Sequence, residues 1–374
     1  MAERPSLSRN GSKMLRRPTI RDVAQAAAVS PGTVSNVLTG RRNVDPAIRE
    51  RVLGAVEALG YRPDVAASSL RSTERNVVGA VVPELTNPFF ACLVDRLERE
   101  ARAAGKRLLV GASNGDPLEE EREVAALAAW RPAGLIVVPC DGRFGARRLL
   151  EREGVPFVVV DRPLEEGEPV DTIAVDNAAA AAEAAHRLLA LGHRRVLAIA
   201  SSLALGNMRE RLAGVEAEVA AVDGAELETL EAGFEPEEIT TAVAARLARE
   251  PRPTAVFALN NVLTLGVLRA SADIGLVVPD DFSLIGFDDY DWMEVFRPPL
   301  TAVRQPVPEL AHMAWQRLAE RIGPAAEDTV AGTPCHLRLP CHLIWRGSVA
   351  VPPEVRIGSS SSKSAAATTG SCSS

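Results

Sequence analysis

The sequence predicts an α/β protein in two parts, a small all-α domain followed by a long core of two doubly wound halves. Three observations point there. Residues 19–60 hold three short apolar-periodic segments, each opened by a capping residue. From Val77 onward, short runs of Val, Ile and Leu alternate with amphipathic segments, the pattern of buried parallel strands and their crossover helices. At 374 residues the chain is also too long for one ordinary core.

The first helix starts at Thr19, which is placed to cap it, with Asp22 three residues later as an acidic variant of the capping box. Ile20, Val23, Ala24 and Ala27 make its apolar stripe. After Ala28-Val29, Ser30 caps a second helix with Pro31 at its first position, where the missing N–H costs nothing; Val34, Val37 and Leu38 face inward and the helix ends near Gly40. A third begins at Asp45-Pro46, carries Ile48, Val52, Val56 and Leu59 on one face, and stops at Gly60. Three such helices make a helix-turn-helix domain. The outward residues of the second, Pro31, Gly32, Thr33, Ser35 and Asn36, are small or polar and none is acidic, which suits a helix laid in a major groove.

Charge agrees with that reading. Residues 1–76 hold 13 Lys and Arg against 7 Asp and Glu, a net +6, and since the whole chain carries -7 the remainder carries -13. A polyanion partner is expected for the front piece only. With 47% hydrophobic and 24% charged residues the chain is ordinary globular material, and no apolar run approaches the roughly 20 residues that span a bilayer. The basic opening, residues 1–17, lacks the apolar stretch of a secretory signal and is expected to be disordered. Five cysteines without framework spacing agree with a reducing compartment, so the cytoplasm is the expected location.

The front segments "TIRDVAQAAAVSPGTVSNVLTG" and "IRERVLGAVEALGYRPDVAASSL" resemble the DNA-binding headpiece of the lactose-repressor (LacI/GalR) family of bacterial transcription regulators. The resemblance implies a headpiece over 18–63 whose base-reading positions fall on Pro31, Gly32 and Asn36. Of these, Asn36 can bond an adenine edge through two atoms. With Thr19, Ser30, Thr33 and Ser35 they form the expected DNA-contacting set. Two departures stand out: Ala28 replaces the usual turn Gly, and Asn36 stands where Arg is frequent. Residues 64–75 form a candidate hinge, with a helix after Asp64 too short to stand alone. In the family two such helices from a dimer enter the minor groove, and the leucine matching Leu70 wedges between base pairs.

The core, residues 76–349, reads as two series of strands. "VVGAVVP", "RLLVGAS", "GLIVVPC" and "PFVVVDR" form the first, and after "DTIAVDN" the series "RRVLAIAS", "LETLEAG", "TAVFALNN" and "FSLIGFDD" forms the second. Ligands of such sheets lie at the strand carboxyl ends. The resemblance implies the same: two lobes of periplasmic-binding-protein type, a cleft between them, three crossing strands, and a late helix "VPELAHMAWQRLAERI" returning to the first lobe. Family effector contacts map onto Phe89, Phe90, Arg211, Phe234, Asn260 and Asp288. Trp292, just beyond "GFDD", joins them by position. Asn261 stands where relatives often have Asp, and Leu205 where purine-type relatives have Arg.

The Cys-His pairs in "PCHLRLPCHLIW" make a poor metal site, because neighbours on a strand point to opposite faces. No GxSxG, Walker loop or GxGxxG follows a strand, so neither an enzyme nor a cofactor is expected. Residues 350–374, ending in a Ser/Ala/Thr run, are expected to be a disordered tail. The expected protein is a dimeric repressor of a near-palindromic DNA operator, controlled by a small effector, a sugar in preference to a nucleoside or purine. The alternative is a free sugar-binding protein, which has no use for residues 19–60.

Overall fold

The computed structural model describes residues 18–39, 44–62, 75–165, 168–322 and 333–353. The chain divides into two units, Met1–Glu74 and Arg75–Ser374. The expected hinge helix with its Leu70 and the Gly40 end of the second helix lie outside the described residues, as does the basic opening.

In the first unit, α1 (Ile20–Ala26), α2 (Pro31–Thr39) and α3 (Pro46–Leu59) enclose a core of Val23, Ala24, Ala27, Val34, Val37 and Val52. The Asp22 carboxylate accepts from both the N–H and the hydroxyl of Thr19, at 2.7 Å each. Ser30 Oγ accepts from Thr33 N at 3.1 Å and Asp45 Oδ1 from Ala47 N at 2.9 Å, so each helix start is satisfied by a side chain. Gly60 ends α3 in the left-handed region, with φ 59°. Ala28, in the turn between α1 and α2, has φ 52°, a conformation that costs a residue with a Cβ about 1 kcal/mol.

The second unit has two six-stranded sheets. In the first lobe these are β1 (Val77–Val82), β2 (Arg107–Ala112), β3 (Leu135–Val137), β4 (Phe157–Val160), β5 (Thr172–Val175) and, much later, β11 (His336–Leu339), in the order β11-β5-β4-β3-β1-β2 and all parallel. Helices α4 (Pro88–Ala103), α5 (Pro117–Ala129), α6 (Arg147–Glu153) and the late α12 (Val307–Ile322) cover it. On α4, Phe89, Phe90, Leu93, Leu97 and Ala101 recur at helical spacing and are buried, packing against Leu310, Ala314 and Leu318 of α12. Each such leucine contributes roughly 1.5–3 kcal/mol.

The second lobe holds β6 (Arg195–Ala200), β7 (Glu226–Glu231), β8 (Ala255–Ala258), β9 (Ser283–Phe287), β10 (Thr301–Arg304) and β12 (His342–Ile344), in the order β12-β10-β9-β8-β6-β7. Only the β10–β12 pair is antiparallel. Its helices are α7 (Asn177–Ala190), α8 (Gly206–Ala220), α9 (Pro236–Leu247), α10 (Asn261–Ile274) and α11 (Asp291–Val295). Helices α7 and α8 approach so closely that a Cβ on Gly214 would lie 2.2 Å from Ala178 O. The chain passes between lobes three times: after β5, after β10 and between β11 and β12.

Two sequence expectations need correction. "PCHLRLPCHLIW" is not one strand but two, broken at Pro340-Cys341 and placed in different sheets, because this is the third crossing. Among the described residues no group of three or more His, Cys, Asp or Glu could hold a metal ion. The tail boundary at 350 is also too early. Ala350 O accepts from His193 Nε2 at 2.9 Å and from Ser283 Oγ at 3.0 Å, and Pro352 packs beside Gly192, so residues 350–353 close the base of the second lobe.

Candidate functional site

Helix α2 presents one outward face. Ser30, Pro31, Gly32 and Ser35 are exposed, Thr33 and Asn36 half-buried, while Val34 and Val37 turn into the core. Thr19 is half-buried at the start of α1. The face holds no acid, and Ser30 and Thr33 hydroxyls lie 2.9 Å apart at the helix N-terminus, whose free N–H groups favour an anion such as a phosphate.

The second site is the cleft between the carboxyl ends of the two sheets. Strand order reverses at β1 in one sheet and at β6 in the other, and the helix N-termini beside those reversals open a crevice. From the first lobe come Asn87, Phe89, Phe90, Asp161 and Arg162; from the second come Asn207, Met208, Arg211, Asn260 and Asp288; Gln305 sits on the second crossing. Phe89 and Phe90 form the first turn of α4, ring centroids 5.2 Å apart in an edge arrangement, and the Arg162 guanidinium stands 5.4 Å over the Phe90 ring.

Arg211 is the cationic anchor of the second lobe, 1% exposed and 3.5 Å over the Phe287 ring. Its Nε donates to Asn177 Oδ1 at 2.8 Å and its Nη1 to Leu259 O at 2.6 Å. Asn177 in turn donates to Glu210, which pairs with Arg338, so the guanidinium is fixed before any ligand arrives. Asp288 directly follows β9 and accepts from Gln305 Nε2 at 2.5 Å and from Asn261 N at 3.3 Å; Asp161 directly follows β4 and accepts from Asn207 Nδ2 at 3.2 Å. Burial pushes both carboxyls up, against the attraction of Arg211, and raises Asp161 to about 6. Asp161 Oδ1, Asn207 Oδ1, Gln305 Oε1 and Arg162 Nε are buried without a hydrogen-bond partner.

The structure brings together five of the seven cleft residues expected from sequence: Phe89, Phe90, Arg211, Asn260 and Asp288. Phe234 and Trp292 are outside it, 56% and 36% exposed on the loop before α9 and on α11. The reason is local: β7 ends at Glu231 and β9 at Phe287, so both lie several residues past their strand ends, where the chain has already turned outward. Sequence reasoning missed Asp161-Arg162, although "VVVDR" ends a strand just as "LIGFDD" does. It also missed Asn207, four residues before Arg211 and so on the same helix face. Asn87, the cap of α4, and Gln305, a polar residue between strand and proline, carried weaker signals.

Residues 19–64 match the profile described as "Bacterial regulatory proteins, lacI family", and residues 185–349 match "Periplasmic binding protein-like domain". A transcriptional repressor named PurR from Vibrio campbellii is 34% identical over 309 residues, 81% of this chain and 92% of that protein. The transcriptional regulator DegA of Bacillus subtilis is 31% identical, covering 79% of this chain and 88% of its own. Among solved structures, the lac repressor dimer bound to operator and the anti-inducer ONPF is similar with a TM-score of 0.77 and 25% identity, over 90% of this chain and all of that one. The regulator CelR in complex with cellobiose has a TM-score of 0.67 and 31% identity, over 89% of this chain and all of that one.

Proposed function

The chain belongs to the LacI family of bacterial regulatory proteins, and on that premise we propose that it acts as a dimeric, cytoplasmic repressor whose cleft takes a neutral polyhydroxy effector, a sugar or close relative. It reads its operator through α2, with Asn36 as the base-specific contact and Leu70 as the minor-groove wedge.

The observation that carries the effector reading is the set of unpaired atoms. Three of the four are acceptors on cleft residues, and the fourth is a guanidinium N–H. A buried acceptor left unpaired costs about 1–3 kcal/mol. Hydroxyl groups supply donors to all three while accepting from Arg162, and an aromatic wall covers the apolar face of a sugar ring. A phosphate or carboxylate has no such donors and meets two acids. A purine is a second reading, favoured by the similarity to PurR. Against it, position 205 is an apolar Leu packed into the second lobe's core.

The test is a thermal-shift screen of neutral sugars, sugar phosphates, nucleosides and purines, followed by operator binding titrated with the best hit. Asp288→Ala is expected to leave operator affinity without ligand nearly intact and to abolish the response. A mutant that responds with unchanged half-saturation places the effector elsewhere.

A further inference from the structure

Asn261 is the first residue of α10, and its amide reaches across the cleft. Nδ2 donates to Asn87 Oδ1 of the first lobe at 3.0 Å and to the Tyr290 hydroxyl of its own lobe at 3.2 Å. Asn87 Oδ1 is already the cap of α4, accepting from Phe89 N at 3.1 Å. One carbonyl oxygen therefore serves a helix start in one lobe and an amide in the other. The backbone N–H of the same Asn261 is bonded to Asp288. Asn261 is 6% exposed, so water competes weakly for these bonds.

We propose that Asn261 is an interlobe latch, a positioning residue that holds the Phe89-Phe90 turn of α4 over the cleft and favours the closed arrangement of the lobes. The chemistry requires an amide. Both latch bonds use Nδ2 as donor toward oxygens, and a carboxylate at this position has nothing to donate. An Asp would instead face Asn87 Oδ1 with a second acceptor and add a third acid beside Asp288 and Asp161. The latch rests on Asn261 Nδ2, which serves an oxygen in each lobe at once. It sets the fraction of closed molecules on which any effector acts.

The test is an exchange of near-isosteric side chains in the full-length protein, read by hydrogen exchange of residues 87–91 without any effector. Asn261→Asp is expected to speed exchange of the first turn of α4 about tenfold or more, because closed molecules are lost. Asn261→Ala, which adds no charge, is expected to match Asn261→Asp in direction and serves if the acid variant does not fold. Tyr290→Phe leaves the Asn87 bond in place and is expected to change exchange less than Asn261→Ala. No change in Asn261→Ala, or an effect of Tyr290→Phe as large as that of Asn261→Ala, overturns the latch. The latch shares the cleft with the effector reading above, but its readout needs no effector, so either can fail alone.

Discussion

Asp161 and Asp288 occupy matching places in the two lobes: each follows the last residue of a central strand, each has a left-handed backbone with φ 66° and 72°, and each is nearly buried with Arg211 as its strongest attractive charge. Aspartate, like asparagine, tolerates this region better than most residues, and the bonds from Asn207, Gln305 and Asn261 hold the two carboxylates in place.

A pH dependence follows from Asp161. Burial raises its carboxyl from the ordinary value of 3.8 to about 6, so between those values the folded protein holds a proton that the unfolded chain has released. The penalty is present in full above pH 6, shrinks as pH falls, and is gone below the unfolded value near 4. Asp161→Asn is expected to raise core stability at pH 7.5 by up to about 3 kcal/mol, with the gain vanishing near pH 4. Urea melts of both proteins across pH 4–8 check this, and a gain independent of pH would sink it. A hydroxyl ligand that binds the ionised form is expected to lose affinity below pH 6.

Gly206 stands where α8 meets the first lobe. A Cβ there would lie 2.4 Å from Pro163 O, a backbone atom that cannot turn aside. Gly206→Ala is expected to prop that rim open at a cost of about 1–3 kcal/mol, weakening effector binding tenfold or more. Calorimetric titration with the best screening hit measures it; unchanged affinity would show that the rim does not close on ligand.

Ala28→Gly relieves the positive φ in the headpiece turn. The gain is expected to be roughly 0.5–1 kcal/mol, since glycine's greater freedom in the unfolded chain offsets part of it. Slower exchange of the amides at 27–29, which bond back to Val23, Gln25 and Ala24, is the readout. Faster exchange would contradict it.

For DNA, Asn36→Ala is expected to cost about 1–3 kcal/mol on the cognate operator and little on random duplex. Equal losses on both would falsify a base-reading role.

The headpiece was legible almost residue by residue, since capping and 3.6-residue periodicity are local: Thr19, Ser30, Asp45 and Gly60 all stand where those signals put them. Strands β1 to β9 were legible because their apolar runs are local too, whereas β10 (Thr301–Arg304) was not read from its own residues. What escaped was decided by distant parts of the chain. Nothing local to "LRLPCHL" says that its halves join different sheets, because the partners, β5 and β10, are far away in sequence. Asp161 looked like a strand end and nothing more until Asn207, 46 residues later, arrived beside it. Phe234 and Trp292 show the opposite error, in which a suitable side chain near a strand end was credited with a direction that only the turn decides.

The first lobe is discontinuous: its covering helix α12 begins at Val307 and its edge strand β11 at His336, after most of the second lobe has gone by. During synthesis, the helix-turn-helix can fold within the first sixty residues, being closed by local contacts. The first five strands of the first lobe's sheet are out by Val175, but α12, which covers Val78, Ile136 and Val158, begins only at Val307. A ribosome that stops before about residue 340 therefore releases a finished DNA reader attached to an unfinished sensor. Such fragments expose an apolar sheet face and are natural clients for chaperones and proteases.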